Sequence, residues 1–129
     1  MKKSGVMALF VSNGKALLVR RKANEQKYPD RWILPSGHIE DGETSEDALV
    51  REMKEELGVT PVKYRLILSI RHTDGGEHYH YLFHVNEWRG EVRNNSEIAD
   101  FGWFSLEEVK KKDMPRAEEY IHKIKEIMK

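Results

Sequence analysis

The chain has 129 residues, 39% of them apolar and 34% charged, with 22 basic and 22 acidic side chains and no cysteine. That length suits one domain, taken here as residues 1–129, with a core of its own. Zero net charge gives no bulk attraction to nucleic acid or to an anionic membrane. The lack of cysteine excludes disulfides, thiolate catalysis and Cys-based zinc sites. No window is long and apolar enough for a membrane span. The basic start leads into an apolar run that Asn13-Gly14 cuts short, so the expectation is a cytoplasmic protein without a secretory signal.

In chain order, Val6 to Val11 is a β-prone run, Asn13-Gly14 is a hairpin turn, and Ala16 to Val19 continues as a second strand ending in Arg20-Arg21-Lys22. Ala23 to Arg31 is a polar loop, and Trp32 to Leu34 a short strand closed by Pro35-Ser36-Gly37. Thr44 fits the N-cap of a helix with Glu46 and Asp47 in its first turn, and Gly58 fits its stop after Leu57. Val62 to Ile70 is β-prone, Asp74-Gly75-Gly76 is a turn, and His78 to Val85 alternates. Tyr79, Tyr81, Phe83 and Val85 share one face of that strand, and His78, His80, Leu82 and His84 the other. Phe101 to Phe104 is a further strand, Ser105 caps a small helix, and Pro115 precedes a last amphipathic helix through Met128. Strands with few helices predict an α+β fold with a mixed sheet between helices.

The first helix carries the chemistry. At about 100° per residue, Arg51, Glu52, Glu55 and Glu56 fall within a wedge of roughly 140°, while Leu49, Val50, Met53 and Leu57 face the far side. Carboxylates brought to ~5 Å repel by about 3 kcal/mol at an effective dielectric near ~20. A divalent cation reverses that sign, and hard cations such as Mg²⁺ bind jointly to carboxylates and substrate phosphates. Periodicity alone favours an ordinary solvated helix with an Arg51–Glu55 surface pair, because charge-rich helix faces are common.

Spacing separates the two. Gly37 to Val59 resembles the Nudix box, Gly-x5-Glu-x7-Arg-Glu-U-x-Glu-Glu-x-Gly-U with U a bulky aliphatic residue. Gly37, Glu43, Arg51, Glu52, Met53, Glu55, Glu56, Gly58 and Val59 meet it without a mismatch. Its seven fixed identities would coincide by chance about once in 10⁹ placements. The resemblance implies an α/β/α sandwich and cleavage of a pyrophosphate bond in a nucleoside diphosphate-linked substrate, with Mg²⁺ as cofactor and Mn²⁺ as its substitute. It implies Glu55 and Glu56 as metal ligands, Glu52 as ligand or general base, and an Arg51–Glu43 pair that fixes the helix against the preceding loop. Gly37 would permit the close turn there, and the Ser36 carbonyl would be a further ligand, although many members have glycine at that position. LLVRR, Trp88-Arg89-Gly90-Glu91 and Trp103-Phe104-Ser105-Leu106 extend the likeness over roughly residues 5 to 110.

Outside the box, mutator-type relatives place an acidic ligand six positions before the late tryptophan. That is Glu97 here, with Asp100 and Glu91 as substitutes. Arg20 or Arg21 and His38 are candidates for phosphate contact, and Trp32 for stacking on a base. His72, His78, His80 and His84 read as solvent-facing or cleft-lining rather than as a zinc site. The expected substrate is a small nucleotide, a nucleoside triphosphate (an oxidised purine one included) cut to a monophosphate. ADP-ribose is disfavoured because Thr73 to Gly76 lacks the proline of ADP-ribose enzymes, yet Pro115-Arg116-Ala117 also lacks the purine-reading asparagine of mutator-type enzymes. Competing readings are a nucleotide-sugar or dinucleoside polyphosphate pyrophosphatase, an RNA 5′-end pyrophosphohydrolase and a non-catalytic nucleotide-binding module. The expected state is a monomer or homodimer.

Overall fold

Asn13 and Gly14 take positive φ, 52° and 74°, which turns β1 (Gly5–Ser12) back into β2 (Lys15–Arg21). The computed structural model describes residues 2–95 and 97–129. Met1, in the basic start, and Ser96, in the loop before Glu97, lie outside the described residues. Strands β3 (Trp32–Ile33), β4 (Ser36–His38), β5 (Thr60–His72), β6 (His78–Arg89) and β7 (Ile98–Phe104) complete a mixed sheet. Its main path runs β3-β2-β1-β6-β5, with β4 added to β1 and β7 to β2.

The centre of the sheet is buried on both sides, which is why β1 and β2 read as continuous apolar runs rather than alternating ones. Val6, Ala8 and Phe10 of β1 face helix α1 (Ser45–Leu57), which buries Ala48, Leu49, Met53 and Leu57 against them. Leu9 faces the other way and packs with Leu18, Leu82, Val109 of α2 (Leu106–Lys111), Ile124 of α3 (Ile121–Met128) and Tyr120 just before it. Helices thus cover both faces, and the expected α/β/α sandwich is the fold. Along β6, Phe83 and Val85 point toward α1 and Leu82 points away, as the alternation predicts.

Two expectations need correction. Ser36 and Gly37 do not close a turn; with His38 they form β4, in antiparallel register with Gly5, Val6 and Met7. The last helix does not start after Pro115. Arg116 takes φ of 56°, a 3₁₀ turn follows over Ala117–Glu119, and α3 begins only at Ile121.

Candidate active site

The site is built around α1. Thr44 Oγ1 accepts the Asp47 N–H at 3.0 Å, and Gly58 ends the helix at φ of 77°, a conformation that glycine adopts without steric cost. Arg51 then locks the helix to the loop before it. Its Nε donates to Glu43 Oε2 at 2.7 Å and its Nη2 to Glu43 Oε1 at 2.9 Å, a bidentate pair. Nη2 also donates to the His38 carbonyl at 2.9 Å, and Nη1 to Glu52 at 2.8 Å and Glu55 at 3.2 Å. The Arg51 guanidinium, followed by the Glu40 N–H, holds the Glu43 carboxyl down to about 2. Gly37 lies directly over this hub: a Cβ there would sit 2.2 Å from the Glu52 carboxyl carbon.

The carboxylates differ in environment. Glu55 is exposed. Glu52 is half-buried, and burial pushes its carboxyl up against the opposing hydrogen bond from Arg51. Glu56 is buried, with only 7% of its surface exposed, and it is pushed up to about 8. The largest cause is burial, followed by the charges of Glu52 and Glu97; Arg21 and the Ser36 amide oppose them. A buried carboxylate next to two others is costly unless a cation compensates it. The donors are all oxygen, and the residues therefore fit a hard divalent cation.

Ser36, Gly37, His38, Glu52, Glu55 and Glu56 all line one cleft of about 460 Å³. Glu97 lines it as well. Its loop is tied down by the Glu97 N–H to Asn95 Oδ1 at 2.8 Å, the Lys22 N–H to the Glu97 carbonyl at 3.2 Å, and Asn95 Nδ2 to the Glu55 carbonyl at 3.4 Å. Arg21 is in the cleft, its Nε donating to the Lys27 carbonyl at 2.6 Å. Arg20 is not: alternation along β2 turns it away, onto Asp30. Trp32 also lies outside the cleft lining. It packs edge-on against Phe104 at 5.1 Å, with the Lys112 ammonium 4.9 Å above its ring, so stacking on a base is not what it is placed for.

Arg116, Glu119, Tyr120, Lys27, Tyr28 and His80 also line the cleft, and sequence reasoning missed most of them. Left-handed backbone at Tyr28, Asp30, Asp113 and Arg116 marks these segments, at φ of 51°, 61°, 51° and 56°, and the types of the lining residues do not announce it. The histidines need a correction too. His72 and His78 are neither solvent-facing nor cleft-lining in the main site; they are 6% and 3% exposed, face to face across β5 and β6. With Asp74 they come close enough to suggest a metal site. However, Arg116 Nη2 donates to His72 Nδ1 at 2.8 Å, where a ligating imidazole would instead present its own N–H to an acceptor. That donor set does not suit a cation.

A carboxylate cluster beside the Gly37 strand, with one arginine holding its geometry, is a site that could hold a divalent metal against a phosphorylated substrate. The sequence pattern of the NUDIX domain matches residues 1–124. An 8-oxo-dGTP diphosphatase of Escherichia coli K12 is 32% identical over 98% of this chain and 100% of its own length. The nucleoside triphosphatase NudI of Enterobacter sp. strain 638 is 30% identical over 87% of this chain and 88% of its own. The solution structure of the E. coli ORF135 protein matches with a TM-score of 0.80 at 27% identity, over 98% of this chain and 88% of that one. The chain belongs to the NUDIX family and is a pyrophosphohydrolase.

Proposed function

We propose that the enzyme hydrolyses nucleoside triphosphates, oxidised purine triphosphates among them, to a nucleoside monophosphate and pyrophosphate, with Mg²⁺ or Mn²⁺ and the free nucleotides of the cytoplasm as its substrate pool. The observation that carries this reading is buried Glu56, held beside Glu52 and within reach of the Glu97 charge. Such a carboxylate is stable as an anion only against a cation, and a cation there can accept phosphate oxygens. Glu56, Glu55 and Glu97, with the Ser36 carbonyl, would hold the metal; when bound it neutralises phosphate charge and makes bound water acidic. Glu52 is the base that takes the water proton, because burial raises its proton affinity toward the working range while Arg51 keeps it oriented. Arg51 and Glu43 position it and do not touch substrate. Arg21 and His38 face the phosphates. The likeness to a diphosphatase and a triphosphatase over nearly the whole chain favours triphosphates over ADP-sugars, and the zero net charge favours a free nucleotide over nucleic acid.

The test is a panel of triphosphates, oxidised triphosphates, dinucleotides and nucleotide sugars, assayed with Mg²⁺ and with EDTA, with products identified by mass. Metal-dependent release of a monophosphate from a triphosphate is expected. A higher kcat/KM for ADP-ribose than for every triphosphate would refute the substrate, and no turnover of anything the metal-dependent reading itself.

A further inference from the structure

The cleft does not end at the carboxylates. Through Lys27, His80 and Arg116 it continues into a side chamber of about 360 Å³, to which Lys2 and Lys3 also contribute. Every lining side chain of this chamber is basic or imidazole; among the described residues no carboxylate faces it. Acidic partners stand behind three of the cations: Asp74 at 2.7 Å from Lys2, Glu40 at 3.3 Å from Lys3 and Glu119 at 2.9 Å from Arg116. Lys27 has no such partner among the described residues. Burial, then the charges of Lys2, Arg116 and Arg21, lower its proton affinity, and only Asp74 opposes them.

The chamber wall is held in place. Arg116 is fixed on one side by His72 Nδ1 at 2.8 Å and on the other by Glu119, and the left-handed backbone at Tyr28 and Arg116 is the kind of conformation that persists only where its surroundings enforce it. One fixed guanidinium and three ammonium groups, with no carboxylate in the lining and one ammonium without an ion-pair partner among the described residues, make a site for an anion. The main cleft, at about 460 Å³, already has room for one nucleotide-sized ligand, so the chamber is free for something beyond it.

We propose that the chamber is a second anion subsite, taking a phosphate group of the substrate other than the pyrophosphate that lies against the carboxylates. It rests on the placement of the scissile pyrophosphate proposed above, and extends the substrate class to nucleotides with further phosphates, in a longer chain or at a second nucleotide end.

Binding is read without turnover. Metal-free protein with labelled histidines is titrated with inorganic phosphate, against chloride at equal ionic strength, and the ring resonances of His78 and His80 are followed. Saturable shifts are expected with phosphate only. Lys27→Met should weaken phosphate by about tenfold, the loss of one charge-assisted contact. Lys3→Met, which disarms the chamber alone, should weaken it by a smaller factor. In steady state, the ratio of kcat/KM for a dinucleoside tetraphosphate to that for dGTP should fall in Lys27→Met, through KM. Absence of saturable shifts, or equal phosphate affinity in both variants and wild type, overturns the subsite. Phosphate binding with an unchanged substrate ratio overturns the substrate role and makes the chamber a site for free phosphate. Shifts in a protein that hydrolyses no nucleotide would sink the proposed function and leave the subsite standing.

Discussion

Glu56→Gln separates what the buried carboxylate costs the fold from what it does for the reaction. In metal-free native protein Glu56 keeps its proton up to about pH 8, against 4.5 for an ordinary glutamate. Between those values the native state binds more protons than the unfolded chain, so stability falls as pH rises through the window. Below 4.5 both states are protonated and the fold loses nothing; above 8 both are ionised and the whole cost is present. The ceiling is roughly 5 kcal/mol, and relaxation and water entry around the ionised carboxylate bring it to about 2–4 kcal/mol. Glutamine resembles the protonated acid in size and charge but cannot ionise. In EDTA, wild type and Glu56→Gln should therefore melt alike at about pH 5, and the variant should melt higher at about pH 9. At ~3–5 °C per kcal/mol for a chain of this size, the gap is at least about 6 °C. Mg²⁺ should then raise the melting temperature of wild type at the alkaline end and leave the variant where it was, while turnover is lost by several orders of magnitude. Parallel melting curves across the whole range would refute the buried-charge argument, and an equal Mg²⁺ response would refute the role of Glu56 as a ligand.

Gly37→Ala places a methyl 2.2 Å from the Glu52 carboxyl carbon, and one of the two must move. The expected result is a fall in kcat of about a hundredfold with thermal stability little changed; full activity would show that Glu52 is not held by that approach. Arg51→Lys removes the fork that grips Glu43 and the hydrogen bond that holds the Glu52 carboxyl down. The acidic limb of the kcat/KM profile should move to higher pH, because Glu52 then keeps its proton longer, and an unmoved limb would take Glu52 out of the role of base.

What could be read from the chain was what is encoded locally. Asn13-Gly14, Thr44 and Gly58 act through their own backbone preferences, and each is where the sequence puts it. The Arg51–Glu43 pair was expected from the likeness to the Nudix box, and its two ends lie eight positions apart, on one helix and its lead-in loop. β4 was not legible, because Ser36-Gly37-His38 has no strand propensity and is a strand only through pairing with Gly5 to Met7. The partition of Arg20 from Arg21, the turning of Trp32 onto Phe104 and the burial of His72 and His78 likewise depend on which partner arrives on each side of a strand.

Glu56 shows most clearly how local and distant terms combine. The helical wheel puts it on the face with Glu52 and Glu55, which an isolated helix would leave in water. In the fold that edge of α1 is covered, with the Ser36 amide at its carboxyl and the Glu97 loop, tied to the Glu55 carbonyl, alongside. Neither covering segment is near Glu56 in sequence. The same coverage that raises its proton affinity sets Glu56 where a cation in the cleft would meet carboxylates from two directions, the helix and the loop. A helix face alone supplies ligands from one side; an octahedral ion needs others. On the proposed reading, burial of Glu56 would be the structural requirement of the metal site, since a cation there would offset the cost of ionising it.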